Sequence, residues 1–167
     1  MAVQQGMTLH ALYFDADRHD REIPWAQSRL PTPGERQLLW IDVEGEVQPA
    51  VAEVVERLNL GPAIQAFLET PAPQPALDHR DNHVLVNLEA LEREPHRFGS
   101  TSLRIVAGQN VVITVHAAPV TFLHDFAGQL QRDSRLGELD AAAFLAVLLH
   151  RHLETYHQAL GALEANH

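Results

Sequence analysis

The sequence predicts an α/β (α+β) domain in which a mixed β-sheet lies between layers of helices, an α/β/α arrangement. Strand-like apolar segments come first, two short helical segments follow, and then come more strands and finally more helices. Such an order is typical of layered domains with a mixed sheet. Residues 38–43 are apolar on both sides of the predicted strand, which indicates that both faces of the sheet are covered. A length of 167 residues favours one domain with a sizeable core.

The strands are predicted from apolar runs that lie between turn-forming segments. They are residues 7–14, 38–43, 83–91, 102–107 and 111–116, and residues 18–25 are expected to add a short strand. Gly108 and Gln109 separate the last two strands, and a glycine at the first turn position fits a type II′ hairpin. The polar residues 92–99 and the proline-containing residues 30–34 are predicted loops.

Apolar residues at helical spacing predict two consecutive helices, at 49–58 and 63–69. A third helix is expected to begin at Pro119 and to end near residues 134–137. The last helix begins after Asp140, whose carboxylate can cap the first turn.

The last helix carries apolar residues every three or four positions, as in a heptad seam. The series is Leu145, Leu149, Leu153, Tyr156, Leu160 and Leu163. No glycine or proline ends this pattern at residues 164–167, so we expect the native chain to continue past His167. We divide the sequence into a mixed-sheet domain at 1–139 and a long amphipathic helix at 140–167.

Charge and composition exclude several classes of function. The chain has 12 basic and 22 acidic residues, and the net charge of −10 disfavours nucleic acid and anionic lipid and favours cations or basic partners. The absence of cysteine excludes disulfides, thiolate metal sites and cysteine nucleophiles. The longest apolar run, residues 141–149, is much shorter than the roughly 20 residues of a membrane span, and residues 1–7 lack the features of a secretory signal. The expected class is a soluble intracellular domain.

The motifs of common enzymes are missing. The sequence contains no phosphate-binding loop, no dinucleotide-binding glycine pattern, no nucleophile elbow and no His-Glu-x-x-His zinc motif. We therefore predict that the chain is not an enzyme and requires no cofactor.

Metal binding is suggested by eleven histidines and by one spacing in particular. His150, Glu154 and His157 fall at i, i+4 and i+7 of the last helix, on one face, where they could hold Zn²⁺ together with water. The alternative is that these three side chains are the solvated flank of the leucine seam. His116, at a strand end, is interpreted as a capped or buried histidine, and Thr114 as an ordinary strand residue.

A second histidine group lies around residues 78–83. Asp78, His79 and Asp81 could come together in a turn, although a polar entry into the strand that begins at His83 is the favoured interpretation. His79 and His83 lie four residues apart, but this spacing brings two side chains together for metal binding only in a helix, and His83 is predicted to enter a strand.

Several short segments are informative because of their order and spacing. They are Leu-Trp-Ile-Asp-Val at 39–43, Leu-Gly-Pro-Ala-Ile at 60–64, Gln-Pro-Ala-Leu-Asp at 74–78, Asp-Asn-His-Val-Leu-Val at 81–86, Gly-Gln-Asn-Val-Val-Ile-Thr-Val-His at 108–116, and the helical segment 144–164 with Tyr156. From about residue 38 onward, this order resembles the cytoplasmic N-terminal domain of the CorA family of divalent-cation transporters, which includes the ZntB zinc branch.

The resemblance implies an α/β/α domain that acts in regulation and assembly at the cytoplasmic face of the inner or plasma membrane. In this family the domain assembles as a homopentamer around a cation path, and a stalk helix and two membrane spans follow it. These 167 residues contain neither the stalk nor the spans, so the chain by itself is expected to be a monomer or weak oligomer that conducts no ions. Its partner is then a copy of itself, and only the missing spans would contact a membrane.

Two departures from the family pattern leave the identity of the cation undetermined. Many magnesium-type members carry a Glu-Asp pair in the second helix, at an intersubunit cation site, and this sequence has Ala66 and Phe67 there. The family's Arg-Pro-Lys triplet is Gln-Pro-Ala at 74–76. The magnesium-sensing site is therefore not transferred, and Mg²⁺, Co²⁺, Ni²⁺ and Zn²⁺ all stay candidates as regulator or transported ion. Ser-Leu-Arg at 102–104 is similar to the zinc branch and favours zinc slightly.

Two other interpretations stay open. The chain could be a free-standing soluble metal-binding module that uses His150, Glu154 and His157, or a purely structural assembly domain that binds no ion. An enzyme on an α/β scaffold is disfavoured by the missing motifs.

Overall fold

The computed structural model describes residues 7–25, 33–34, 36–45, 47–71, 74–80, 82–130 and 135–166. The strands are β1 (Met7–Asp15), β2 (Arg21–Ile23), β3 (Gln37–Gly45), β4 (Ala76–Arg80), β5 (His83–Arg93), β6 (Phe98–Gly108) and β7 (Val111–His116). The helices are α1 (Val47–Leu58), α2 (Pro62–Glu69), α3 (Thr121–Gln129) and α4 (Ala141–Ala165), with a 3₁₀ turn at Arg135–Glu138.

The seven strands form one mixed sheet in the order β2-β1-β3-β7-β6-β5-β4. Two antiparallel groups, β2-β1-β3 and β7-β6-β5-β4, meet where β3 pairs with β7 in parallel. The chain therefore crosses from β3 through α1, α2 and three strands before it returns beside β3.

Helices cover both faces of the sheet, which confirms the predicted α/β/α layering. On one face, Ile41 and Val43 of β3 pack in a cluster with Val51, Val54 and Ile64 from α1 and α2. On the opposite face, the cluster contains buried residues from the sheet, α3 and α4; they include Leu38, Trp40, Leu103, Val112, Leu123, Phe126, Phe144 and Leu148. Alternate side chains of β3 thus reach the two cores, as its apolar pattern predicts.

Aromatic packing fixes α3 and α4 on their face. The ring of Trp40, 1% exposed, lies 5.4 Å from the ring of Phe144 and 5.9 Å from that of Phe126, measured between centroids. Phe14 of β1 adds a further contact to Phe144 at 6.2 Å. One tryptophan on the sheet therefore contacts both helices of the layer.

The strand positions predicted at 7–14, 38–43, 83–91, 102–107 and 111–116 are confirmed, and the short strand expected within 18–25 is β2. β4 was not predicted, because its five residues are all exposed and it has no buried face to leave an apolar pattern. The predicted loop at 92–99 is wrong in extent, since β5 continues to Arg93 and β6 begins at Phe98.

The predicted type II′ turn at Gly108 and Gln109 is also wrong. Gly108 still belongs to β6 and pairs with Val111, and the two turn residues are Gln109 and Asn110. Both have positive φ, 45° and 64°, which is the type I′ combination. Gly108 is needed for a different reason, because a Cβ there would lie 2.5 Å from the imidazole Cδ2 of His83 and 3.1 Å from the Asn82 carbonyl oxygen.

The two C-terminal helices differ from prediction in detail. α3 begins at Thr121 and ends at Gln129, earlier than the predicted end near 134–137. Asp140 caps α4 as predicted, since its carboxylate accepts a hydrogen bond from the Ala143 amide at 2.7 Å. Along the predicted seam the first part of α4 is buried, whereas Leu153, Leu160 and Leu163 are at least half exposed.

Some predictions fall on residues outside the described part of the chain. These are the loop residues 30–32, Asp81 of the second histidine group, residue 134 at the predicted end of the third helix, and His167.

Gly108→Ala should lower the free energy of unfolding by about 1–3 kcal/mol, because the new methyl group clashes with the β5 strand start. Gly128→Ala in α3 is the matched control. A Cβ at that position meets no atom within 4 Å, so helix propensity should raise stability by up to about 1 kcal/mol. Urea unfolding of both variants measures the difference, and equal stability of the two would contradict the close approach.

Candidate functional site

Four polar side chains lie on one face of the sheet, at the carboxyl ends of β3 and β7. The parallel register places Asp42 opposite Thr114 and Glu44 opposite His116. Carboxyl ends of adjacent parallel strands form the same sheet edge, which is where ligands bind in many open α/β sheets. The polar residues continue the face that carries Trp40, on the side of α3 and α4.

A chain of hydrogen bonds joins these residues to the aromatic core. The Trp40 indole N–H donates to Thr114 Oγ1 at 2.9 Å, and the Thr114 hydroxyl donates to Asp42 Oδ1 at 2.5 Å. His116 Nε2 lies 2.9 Å from the same Asp42 oxygen, and His116 Nδ1 lies 2.7 Å from the carbonyl oxygen of Ala118. The indole nitrogen of Trp40, the hydroxyl of Thr114 and both ring nitrogens of His116 therefore all have hydrogen-bond partners.

The protonation of His116 follows from these partners. A carbonyl oxygen only accepts, so Nδ1 carries a proton, and the Asp42 carboxylate requires a donor from Nε2. Burial by itself would lower the pKa of His116, whose side chain is 2% exposed. The hydrogen bond and charge of Asp42, the Ala118 carbonyl and the charge of Glu44 outweigh burial and raise the pKa above its ordinary value. Below this raised pKa, the pair is an imidazolium against a carboxylate.

A groove of about 850 Å³ opens over this pair, between β1, β2, β3 and α3. The titratable and charged side chains that line it are Asp20, Glu22, Asp42, Glu44, Arg21, His10, His116 and His124. Four carboxylates outnumber the Arg21 guanidinium and the His116 imidazolium, so the groove has a negative potential, which attracts cations. Asp42 faces this groove with a side chain that is 19% exposed, whereas His116 lies at its floor.

Asp42, Glu44 and His116 are also the one group of potential metal ligands that the described residues bring together. Each offers one ligand atom, and all three atoms lie within 4.8 Å of one another. Two carboxylate oxygens and an imidazole nitrogen are a donor set that zinc and neighbouring first-row cations accept.

The ligands predicted on the last helix are only partly brought together. His150 Nε2 lies 3.3 Å from Glu154 Oε1, and both side chains are largely exposed, by 73% and 48%. Within the described chain, His157 does not join them in a group with ligand atoms inside 4.8 Å. The helix site stays a prediction that these contacts neither establish nor overturn.

Two members of the second histidine group, Asp78 and His79, lie in the exposed edge strand β4. His79 belongs to β4 and faces Val84 of β5, and the carboxylate of Asp78 binds the side chain of Arg80 and the amide of His79. These bonds lower the pKa of Asp78. The favoured interpretation, a polar strand segment, fits this arrangement.

Arg104 of the Ser-Leu-Arg segment lies on the opposite face of the sheet, with 2% of its surface exposed. Among the described residues, its Nε and Nη1 atoms have no hydrogen-bond partner, and burial lowers the pKa of its guanidinium.

Sequence reasoning missed Asp42 and Glu44 as site residues and treated His116 as a structural histidine. An available signal was the alternation of the two acids with apolar residues at the end of a strand that is otherwise apolar on both sides. The partner strand could not be predicted from this signal, because 74 residues separate Asp42 from His116.

Comparison with known proteins identifies the family. The model of the family described as "CorA-like Mg2+ transporter protein" matches residues 35–167. The chain belongs to this family. The matched residues include Asp42, Glu44 and His116.

Solved structures show the same fold as this CorA-like chain. Full-length CmaX superposes with a TM-score of 0.80 and 19% identity, over 99% of this chain and 50% of CmaX. The complete CorA magnesium transporter from Methanocaldococcus jannaschii gives 0.70 and 16%, over 93% of this chain and 48% of the transporter. The ZntB cytoplasmic domain from Vibrio parahaemolyticus gives 0.63 and 15%, over 90% and 57%.

The CorA-like chain spans about half the length of the full-length structures that it matches. No curated protein matches its sequence. None of the helices in the described residues combines the length and the hydropathy that crossing a membrane requires.

The stability that the His116–Asp42 pair contributes should depend on pH. Because the folded-state pKa of His116 is raised, this contribution is complete below the unfolded value near 6.5 and is lost as pH rises through the folded value. In urea unfolding between pH 6 and 9, wild type should therefore lose stability relative to His116→Gln as pH increases. His157→Gln, at an exposed position, is the control and should keep the wild-type profile. A constant difference between wild type and His116→Gln over this range would contradict the ion pair.

Proposed function

We propose that this chain is the cytoplasmic regulatory and assembly domain of a CorA-like transporter of divalent cations and that it performs no catalysis. The observation that carries the proposal is the family match over residues 35–167. The superpositions support it, since two of the similar structures are described as a magnesium transporter and as a ZntB cytoplasmic domain.

The charge of the chain supports a role in sensing cations. A net charge of −10 raises the local concentration of cations and makes copies of the domain repel one another. Divalent ions that bind carboxylates relieve this repulsion and so favour the assembled state over the separated one. By linkage, the bound cation and the assembly then favour each other.

The second half of α4 supports a role in assembly. Leu153, Leu160 and Leu163 expose 56%, 56% and 50% of their surface along one side of the helix, next to Tyr156 at 37%. These side chains continue the apolar series that is buried at the start of α4, where Phe144 and Leu148 reach the core. An apolar stripe at heptad spacing packs well against a second helix, as in a homopentamer of the full-length protein.

The regulating ion is one of Mg²⁺, Zn²⁺ and Co²⁺ in this proposal, and the transported ion belongs to the same group. Electrostatic attraction acts equally on any divalent cation, so a direct comparison of the three salts distinguishes them.

Millimolar divalent cation should stabilise the domain and increase its self-association. A cation at about ten times its Kd adds about 1.4 kcal/mol, which corresponds to a rise in Tm of about 3–6 °C for a domain of this size. Differential scanning fluorimetry and sedimentation velocity in MgCl₂, CoCl₂ and ZnCl₂ measure both effects. KCl at the same ionic strength is the control, and a response no larger than that of KCl for all three salts would contradict cation sensing.

Leu160→Glu should weaken self-association at least several-fold and leave the Tm nearly unchanged, because the side chain is 56% exposed and outside the core. Gln158→Glu adds the same charge on the other side of α4 and is the control. Sedimentation equilibrium of both variants measures the effect. If Leu160→Glu and Gln158→Glu associate equally, the stripe is not the assembly surface.

A further inference from the structure

We infer that Asp42, Glu44 and His116 form a binding site for a first-row transition cation of the zinc class, at the carboxyl ends of β3 and β7. This site lies away from the exposed His150–Glu154 pair of α4. It goes beyond the proposed function, because the inference rests on the side chains themselves and holds whether or not the chain regulates transport.

The geometry of the sheet holds the ligands near one another. Asp42 and Glu44 are two residues apart on β3 and so project from the same face, and His116 is the direct register partner of Glu44 on β7. The three ligand atoms lie within 4.8 Å of one another. Bond lengths near 2.0–2.1 Å to nitrogen and oxygen require a slightly tighter group, which side-chain rotations within a fixed backbone supply.

The contacts around the ligands are those of a second coordination shell. Metal-binding histidines usually donate their other ring N–H to a carbonyl or carboxylate, and His116 Nδ1 donates to the Ala118 carbonyl at 2.7 Å. This bond directs Nε2 toward Asp42 and Glu44. Asp42 is held in turn by the Thr114 hydroxyl, which is fixed by the Trp40 indole.

The groove supplies access and electrostatic attraction. Asp42 and Glu44 are partly exposed and line the groove, and Asp20 and Glu22 add negative charge on its far side. Water entering from this side can complete the coordination shell. The third ligand, His116, is 2% exposed, so the ion would sit at the floor of the groove.

The donor set selects among cations. Mg²⁺ prefers an octahedral shell of oxygen, whereas an imidazole nitrogen with two carboxylates suits Zn²⁺, Co²⁺ and Ni²⁺. On binding, the cation takes the place of the proton on His116 Nε2, and this proton passes to solvent. The Asp42–His116 contact, 2.9 Å without the cation, then opens as both atoms bind the same ion.

The test is titration of the 167-residue chain with ZnCl₂ in a calorimeter and with CoCl₂ by visible absorption, at about pH 8. We expect one ion per chain and the intense visible bands of four- or five-coordinate Co²⁺. Glu44→Gln and Asp42→Asn should each weaken Zn²⁺ binding about tenfold or more, since even outer-shell changes cost 10–100-fold at metal sites. Glu44→Gln is the decisive variant, because Glu44 lies partly exposed and its amide replacement has the same shape.

The matched control is the double variant His150→Ala/His157→Ala, which removes both histidines of the α4 spacing. Unchanged Zn²⁺ affinity in the control, with weakened binding in Glu44→Gln, supports the site. Zn²⁺ binding lost in the control and kept in Glu44→Gln would overturn the site and favour α4. The absence of any Zn²⁺ binding up to about 1 mM would also overturn the site, without favouring α4.

Failure of this metal site and failure of the proposed regulatory function give different results. If cations alter self-association equally in Glu44→Gln and wild type, the sensing role stands and this site does not serve it. If Zn²⁺ binds here and none of the three divalent salts changes self-association more than KCl does, the site stands and the regulatory proposal fails.

Discussion

The parallel pairing of β3 with β7 is the constraint on which both the fold and the site depend. It joins two antiparallel groups of strands into one sheet, and it requires the crossover that places α1 and α2 on one face. The same register sets Asp42 beside Thr114 and Glu44 beside His116. A slip of one residue would turn these side chains toward the opposite core, where their desolvation would be costly.

Trp40 links that strand pair to the second helix layer. Its ring packs against Phe126 and Phe144, and its indole N–H begins the hydrogen-bond chain that ends at His116. The apolar core and the polar site therefore share one side chain. A buried imidazolium with a carboxylate costs desolvation energy that an apolar pair would not. The pair lies at the floor of the acidic groove.

Much of the fold follows from local patterns, and most of the site does not. The apolar residues on both sides of β3 predicted the helix layers, and Asp140 predicted the start of α4 as its N-cap. β4 carried no apolar pattern, because it is an exposed edge strand. The helix spacing of His150 and Glu154 is visible in sequence, whereas Asp42 and His116 meet only through strand pairing over 74 residues. Such long-range register is set by the whole sheet, not by either segment.

The most direct test of the site at Asp42, Glu44 and His116 is anomalous diffraction at the zinc absorption edge, from crystals of the chain grown with Zn²⁺. We expect one dominant peak at the floor of the groove, within bonding distance of His116 Nε2 and of carboxylate oxygens from Asp42 and Glu44. His116 Nδ1 should keep its hydrogen bond to the Ala118 carbonyl. A peak confined to His150 and Glu154 on α4, with the His116–Asp42 bond intact, would contradict the site.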